Sequence, residues 1–465
     1  MPCALRRVVL LAVCFATLGT LHPAATAAAR YTAKPPPRSC DKYEAVYKSI
    51  DRDLELYRRN GGITPQLMAK TLSLHTAANR EKGLGVAFYN GRVYVIDNGR
   101  RMKLQPFGHH VTLWTAYLRV MLDLQDRFGA HLPNVEFVWH TIDRPVRLTN
   151  ASAGAQDNYP VFRFGKSAAH PDILIPNFHF YMKAYQRKFL DKIDHFNADI
   201  SWAQRRPLAV ARFSAYGRYV HPRDPHCQRL GAGGADICKV TGRATAICPV
   251  RQHLHEWANA KHRDRLDVSK DRFLPMDHHS RYKYLLHVDG QGLSSKLEFL
   301  LTLGSLVLKE DSGYMAYYHH LLEPGVHFLP VWKNGAGPED ILEAVDWARA
   351  HDDEAHKIAL AGQALVARYL SAEARACFWL RLFAAYSDTM TYDPVEYRNI
   401  TFASEAAAGT GGKGGGKEGG EGAGGEVQVA VKAAGLRFLK PAARFIEEDV
   451  AATFPRMQTE LEWEP

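Results

Sequence analysis

The chain has 465 residues, of which 46% are hydrophobic and 23% are charged, as in an ordinary soluble globular protein with room for two domains. Its net charge of +10 and isoelectric point near 9.1 favour anionic partners. The basic residues are scattered and form no block of the nucleic-acid-binding type, so a solvated basic surface explains them more simply.

The N-terminus has the pattern of a secretory signal peptide over residues 1–29. Arg6 and Arg7 precede an apolar run, and small residues follow it up to Ala29. The apolar run has about 14 residues, fewer than the roughly 20 that span a bilayer, so no membrane span is expected. We therefore expect entry into the secretory pathway, with ER lumen, Golgi lumen and secretion all open. This compartment also argues against nucleic acid as a partner.

Cysteines and glycosylation triplets fit the same compartment. In an oxidising lumen some cysteines pair, and an odd number leaves one free or joined to another chain. No C-x-x-C pair occurs among them, so zinc and other metals are not expected. Asn150 and Asn399 begin N-glycosylation triplets, although such triplets also arise by chance. The cysteines beyond the predicted signal peptide are Cys40, Cys227, Cys238, Cys248 and Cys377.

Helical and strand patterns alternate from residue 41 to about residue 204, after a proline-rich, flexible leader over residues 30–40. The predicted elements of this half are a helix from Asp41, a type I′ hairpin at Asn90-Gly91, a helix over His109–Phe128, strands over Val135–Ile142 and Pro160–Phe164, and an aromatic segment, Asp172–Tyr181.

The same alternation continues from residue 205 to residue 395. The predicted elements of this half are strands over Pro207–Phe213, Tyr282–Val288, Ser305–Lys309 and Val326–Trp332, and helices over Pro338–Ala350, Asp353–Leu370 and Ala372–Met390. This order predicts an α/β fold of two Rossmann-like domains, 41–204 and 205–395, facing a cleft. A glycine-rich tract over 405–426 predicts a disordered linker, and the tail over 427–465 a short helix within 436–450.

A glycine-rich turn within Arg281–Glu310 organises the second half. Gly290 and Gly292 interrupt the chain between a strand and a helix that Ser294 or Ser295 can cap. Such a turn presents free amides to a phosphate, and Lys296 would add a positive charge there. Plain packing of an α/β unit explains the same pattern, so both interpretations stay open.

Three further charged residues are candidates for the chemistry. Asp143 follows a strand at the edge where ligands bind, and can act as a general base or serve as a turn residue. Arg218 and Arg223 follow the first strand of the second half and can bind phosphate or form surface salt bridges. No histidine spacing indicates zinc, and serine-hydrolase, P-loop and dinucleotide motifs lack support.

Six stretches together resemble glycosyltransferase family 90, the capsule-associated-protein group that includes the Rumi-type protein O-glucosyltransferases. The resemblance runs from about Cys40 to Met390. The stretches are VEFVWHTIDRPV, PVFRFGKSAAHPDILIPNFHFY, RFSAYGRYVHPRDP, HSRYKYLLHVDGQGLSSKLEFLLTLGSLVLKE, LLEPGVHFLPV and CFWLRLFAAYS.

The resemblance implies a GT-B-like fold and metal-independent, inverting transfer from a UDP-sugar, without a cofactor, to a glycoprotein or glycan hydroxyl. It makes Asp143 the general base. Lys296 stands where Rumi-type members carry arginine, which makes donor preference uncertain. The residues that it places on the UDP-sugar are Ser214, Gly217, Arg218, Arg223, Gly290, Gly292, Leu293, Ser294, Ser295 and Lys296.

The resemblance also implies a disulfide between Cys40 and Cys377, while the other cysteines stay unassigned. It places Asp172, Pro176 and Phe178 on the acceptor side, although aromatic core explains that segment equally well. Rumi-type members use UDP-glucose or UDP-xylose on serines of small disulfide-rich repeats, and other members act on polysaccharides, so donor and acceptor stay open. The alternative function is a sugar-binding or chaperone-like protein that keeps the fold without the chemistry.

Overall fold

The computed structural model describes residues 31–97, 103–145, 147–149, 157–221, 223–241, 245–404, 428–455 and 463–464. The predicted signal peptide, Asn150 and the glycine-rich tract lie outside these residues. Within them, no helix combines the length and apolar character needed to cross a membrane. All elements named below belong to one compact unit, Ala33–Pro465.

The strands are, in chain order, β1 (Gly83–Tyr89), β2 (Arg92–Asp97), β3 (Val135–His140), β4 (Val161–Arg163), β5 (Lys166–Ser167), β6 (Ile173–Leu174), β7 (Arg206–Arg212), β8 (Arg218–Val220), β9 (Lys239–Thr241), β10 (Thr245–Cys248), β11 (Leu266–Ser269), β12 (Tyr282–His287), β13 (Leu306–Glu310), β14 (Tyr314–Met315), β15 (Leu329–Val331), β16 (Thr401–Ser404), β17 (Gln428–Lys432) and β18 (Phe438–Pro441).

The helices are α1 (Glu44–Arg59), α2 (Pro65–His75), α3 (His109–Phe128), α4 (His179–Met182), α5 (Tyr185–Lys188), α6 (Ile193–Asp199), α7 (Val250–Lys261), α8 (Leu297–Leu301), α9 (Asp340–Ala350), α10 (Asp352–Tyr369), α11 (Ala372–Thr389), α12 (Pro394–Tyr397), α13 (Ala442–Arg444) and α14 (Ala451–Thr453). A π-helix, Phe445–Val450, joins the last two.

The first large sheet mixes two pairing modes, in the order β18-β2-β1-β3-β4-β6. The predicted hairpin is confirmed: β1 and β2 pair antiparallel around Asn90 and Gly91, which have φ values of 50° and 75°. Because a two-residue hairpin reverses the chain, this side of the sheet is antiparallel. Among the described strands of this sheet, parallel pairing is confined to β3, β4 and β6, so the parallel sheet that the alternation predicts forms only part of this half.

The second large sheet is parallel throughout, in the order β11-β7-β12-β13-β15. Its strands β12 and β13 are buried along their whole length, as expected for the centre of a sheet covered by helices. The carboxyl ends of β7, β11, β12 and β13 therefore lie along one edge, where the loops that follow them come together. A smaller antiparallel sheet, β8-β10-β9, forms between β7 and β11 in the chain.

Helix α11 packs against the first sheet although it follows the second sheet in the chain. The ring of Phe383 lies 5.0 Å from that of Phe88 and 5.1 Å from that of Phe137. The disulfide between Cys40 and Cys377 joins the same helix to the start of the chain, as the resemblance implies. A boundary between two domains near residue 204 stays a prediction.

The ends of the unit are attached more firmly than the composition predicts. In the proline-rich leader, the amide of Lys34 donates to the Ala130 carbonyl at 2.7 Å. After the glycine-rich tract, β18 pairs with β2 and becomes an edge strand of the first sheet. The predicted tail helix is present but begins later, at Ala442. Asn399 is exposed, as glycosylation requires.

Candidate functional site

Asp143 lies in a loop just beyond the carboxyl end of β3. Arg163 supports this loop from below: its Nη1 donates to the carbonyls of Ile142 at 3.4 Å and Arg144 at 3.2 Å. Arg163 is itself held by a buried ion pair, with Nε 2.6 Å from the Asp172 carboxylate. The backbone is thus anchored by its carbonyls, and the Asp143 side chain stays exposed.

The surroundings of Asp143 change the pKa of its carboxyl group. Neighbouring protein displaces water and raises the pKa of Asp143, while the positive charges of Arg251 and His109 oppose that rise. A carboxylate with a raised pKa accepts a proton more readily. The exposed carboxylate can therefore serve as a base for a hydroxyl group that reaches it.

The glycine-rich turn is built around Asp289, which is fully buried. One carboxylate oxygen of Asp289 accepts from the Ser294 amide at 2.7 Å, and the other accepts from the Ser312 hydroxyl. The Gly290 amide donates to the Gly292 carbonyl at 3.0 Å and closes the turn. Side-chain hydrogen bonds of this kind compete with helix formation.

The predicted serine cap is wrong. Helix α8 begins at Leu297, with Lys296 at the N-cap and no side-chain cap bond. The Ser294 amide is already bonded to Asp289, so the chain stays in a turn and the helix is only five residues long. Leu293, predicted on the helical face, lies before the helix.

The two predicted parts of the site are in direct contact. A Cβ atom placed on Gly292 would lie 2.3 Å from the Asp143 carbonyl oxygen. One placed on Gly165 would lie 2.5 Å from the Leu293 Cβ. The glycine-rich turn therefore packs on the Asp143 loop with backbone against backbone, which only glycine at 292 permits.

Replacing Gly292 with Ala is expected to push the turn away from the Asp143 loop and reduce activity by about 100-fold, because misplacement of about 1 Å can have that effect. Activity is measured as donor turnover, and folding as the thermal midpoint. Gly129→Ala is the matched control, since its Cβ would meet its nearest atom at 3.5 Å. Equal activity in the two variants would contradict the close contact.

A pocket of about 740 Å³ is lined in part by residues that directly follow the turn. Ser214, Ser295 and Lys296 line it, as predicted for the donor side. The pocket carries six basic side chains and one carboxylate, which suits an anion. These charged residues are Lys183, Lys188, Arg212, Lys270, Arg272, Lys296 and Asp271.

Lys296 lies between the turn and β7. Its Nζ donates to the Arg212 carbonyl, and burial together with the charges of Arg251 and Arg212 lowers its pKa to about 8. A partly buried ammonium of this kind is readily paired by an anionic group. The structure therefore brings Asp143, Gly292 and Lys296 into one region.

Arg218 and Arg223, the two arginines predicted on the donor side, do not line the basic pocket. Arg218 is fully buried and forms a bidentate pair with Glu310, at 2.6 and 2.7 Å, while Nη2 also donates to the Asp289 carbonyl at 3.0 Å. It supports the turn from below, where a ligand does not reach it. Arg223 is exposed and lines a separate cavity of about 310 Å³ with Asp224. Gly217 packs against Ile247 of β10.

The three predicted acceptor residues are in the core. Asp172 is paired with Arg163, and the Pro176 carbonyl accepts from the Tyr117 hydroxyl at 2.9 Å. Phe178 packs edge-on against Tyr117, with ring centroids 5.9 Å apart. All three side chains are buried, as the core explanation of the aromatic segment expects, and their place on the acceptor side stays a prediction.

Arg251, the second residue of α7, is not among the residues predicted from the sequence. Its guanidinium lies under Gly290 and bonds to backbone on two loops. Nothing in the local pattern distinguishes it from a surface arginine.

A second disulfide, Cys238–Cys248, closes the β9–β10 hairpin just before this helix, and Cys227 is buried and free. Among the described residues, no group of three or more His, Cys, Asp or Glu side chains could hold a metal ion.

The chain is similar to known glycosyltransferases over much of its length. Protein O-glucosyltransferase 2 of Danio rerio is 27% identical over 301 residues, covering 65% of this chain and 56% of that protein. O-glucosyltransferase rumi of Drosophila pseudoobscura pseudoobscura is 26% identical over 276 residues, covering 57% and 63%. Protein O-glucosyltransferase 1 of Homo sapiens is 24% identical over 367 residues, covering 77% and 82%.

The matched region thus spans between 56% and 63% of the length of the first two relatives. A family model described as Glycosyl transferase family 90 matches residues 36–412. That range contains the second large sheet, every strand of the first except β18, and also Asp143, the glycine-rich turn and the basic pocket. The chain therefore belongs to glycosyl transferase family 90.

Proposed function

We propose that the chain transfers a sugar from a UDP-sugar to a hydroxyl of a protein or glycan acceptor, with inversion and without a metal ion. The observation that carries the proposal is the packing of Gly292 on Asp143. Asp143, the candidate base, belongs to the loop that contacts the turn, and Ser295 and Lys296, which follow the turn, line the basic pocket, so an incoming hydroxyl and a departing anion would meet in one region.

The chemistry follows from this placement. The acceptor oxygen bonds to the anomeric carbon, and its proton passes to the Asp143 carboxylate. The bond from that carbon to the diphosphate oxygen breaks on the opposite face, and UDP leaves with the bonding electrons. Lys296 and the basic pocket stabilise the charge that develops on the diphosphate.

The two large sheets fit a GT-B-like arrangement of two Rossmann-like halves. The site lies where the carboxyl edge of the parallel sheet meets the loop after β3. The relatives are named as protein O-glucosyltransferases, so glucose is the first donor to test, xylose the second, and a serine-bearing disulfide-rich repeat the first acceptor. We place the protein in the lumen of the secretory pathway.

A panel of UDP-sugars tests the proposal. The purified chain is incubated with each sugar and a chelator, with and without the repeat, and released UDP is measured. Release from one sugar, with mass added to the repeat, is the expected result.

A second candidate function is sugar binding without transfer. It is favoured because Arg223 lines a different cavity, which leaves Lys296, of the basic residues predicted to contact phosphate, in the basic pocket. UDP binding without release from any sugar in the panel would support this function and reject the transferase.

A further inference from the structure

A buried guanidinium joins the basic pocket to the glycine-rich turn. Arg251 is only 8% exposed. Its Nη2 and Nε donate to the Val288 carbonyl at 2.8 and 3.2 Å, and its Nη1 donates to the Ser214 carbonyl at 3.2 Å. Ser214 follows β7 and lines the pocket, whereas Val288 follows β12 and leads into the turn. One side chain therefore sets the separation of two loops from neighbouring strands.

The turn lies directly on this guanidinium. A Cβ atom on Gly290 would lie 3.2 Å from both Cζ and Nη1 of Arg251. The guanidinium also lies near Phe213, whose ring centroid is 5.4 Å from Cζ. The positive charge is thus in contact with the backbone of the turn and close to an aromatic ring.

The charge of Arg251 has no carboxylate within ion-pair distance among the described residues. Burial lowers the pKa of Arg251 to about 10. The negative charges of Asp289, Glu310 and Asp143, which are farther away, act in the opposite direction and raise it. A buried charge without direct neutralisation has a high desolvation cost. An anion bound on the turn would reduce that cost through the electrostatic field, without touching the side chain.

The same charge acts on Asp143. It favours the ionised carboxylate and opposes the effect of burial. The other charged or titratable groups around Asp143 are His109 at the start of α3, Arg144 next in the chain, and Arg163 beneath the loop. The guanidinium of Arg144 stacks on the Tyr219 ring, with Cζ 4.0 Å from the ring centroid. Arg251 differs from these because its guanidinium bonds to Ser214, which lines the pocket, and to Val288, which leads into the turn.

We propose that Arg251 is a positioning residue of the transfer reaction, which holds the Ser214 loop and the glycine-rich turn in register and supplies a buried positive charge to both the diphosphate and Asp143. This inference rests on the proposed function and adds a specific electrostatic role for one side chain.

The test compares Arg251→Gln and Arg251→Lys with Arg205→Gln. Arg205 is a matched control, since it is also buried and also donates to backbone carbonyls, those of Leu303 at 2.9 Å and Gly304 at 2.7 Å, away from the turn. For each variant the thermal midpoint, the dissociation constant for UDP and the pH profile of kcat/KM for the donor are measured.

In Arg251→Gln we expect kcat/KM to fall by about 100-fold, as when one stabilising donor is removed, and UDP binding to weaken. The acid limb of the profile moves to higher pH, because Asp143 loses a charge that favours ionisation. Arg251→Lys restores the acid limb, since it keeps the charge. Arg205→Gln lowers the thermal midpoint but leaves the acid limb in place.

An unchanged acid limb in Arg251→Gln, with activity no lower than that of Arg205→Gln at equal folded fraction, overturns the proposal. If the wild-type chain releases no UDP from any sugar, the proposed function fails, and UDP affinity alone decides the role of Arg251. Weaker UDP binding in Arg251→Gln than in Arg205→Gln then supports that role. Equal binding, or no binding by the wild type, overturns it.

Discussion

Replacing Asp143 with Asn is expected to abolish sugar transfer, with a loss of about 1,000-fold or more, because the amide cannot take the acceptor proton. The substitution keeps the size of the side chain. The loop is held by the carbonyls bonded to Arg163, which the change does not touch. The thermal midpoint and the dissociation constant for UDP are therefore expected to stay close to those of the wild type.

Transfer is measured as acceptor-dependent UDP release. Asp388→Asn is the control, since Asp388 is an exposed carboxylate on α11, away from the turn. The wild type should also lose activity as the pH falls, and at a higher pH than for an ordinary carboxylate, because neighbouring protein displaces water around Asp143 and raises its pKa. Retained transfer in Asp143→Asn would show that another group acts as the base.

Replacing Glu310 with Gln is expected to destabilise the fold by about 3–5 kcal/mol, the cost of breaking a buried ion pair. Glu310 is fully buried, pairs with Arg218 at 2.6 Å and Arg229 at 3.1 Å, and accepts from the Asp289 amide at 2.9 Å. Without its charge, two buried guanidinium groups would repel each other beneath the glycine-rich turn. The turn would then lose the hydrogen bonds that Arg218 and Glu310 make to the backbone of Asp289.

The free energy of unfolding is measured in urea, with Glu343→Gln as the control, because Glu343 is exposed on α9. The adjacent guanidinium groups hold the pKa of Glu310 well below its ordinary value. Its contribution is therefore fully present above the ordinary pKa of a glutamate and disappears as the pH falls towards the lowered one. A loss in Glu310→Gln no greater than that in Glu343→Gln would contradict the buried network.

Helices and turns that are determined by residues close together in the chain could be predicted from the sequence. Helix α3 spans His109–Phe128 as predicted, since its apolar spacing is purely local. The Asn90-Gly91 hairpin follows from the φ values that its turn type requires. The resemblance, rather than any spacing, supplied the Cys40–Cys377 disulfide and the family.

Tertiary structure alone decided how distant segments meet. The packing of Gly292 on Asp143, the burial of Arg218 against Glu310, and the position of Arg251 under Gly290 each join segments that are far apart in the chain. A local pattern cannot show whether an arginine is exposed or paired with a distant glutamate, because the burial of a charge depends on which strands become neighbours. The pairing of the tail strand β18 could not be predicted for the same reason, since its partner β2 lies more than 300 residues earlier in the chain.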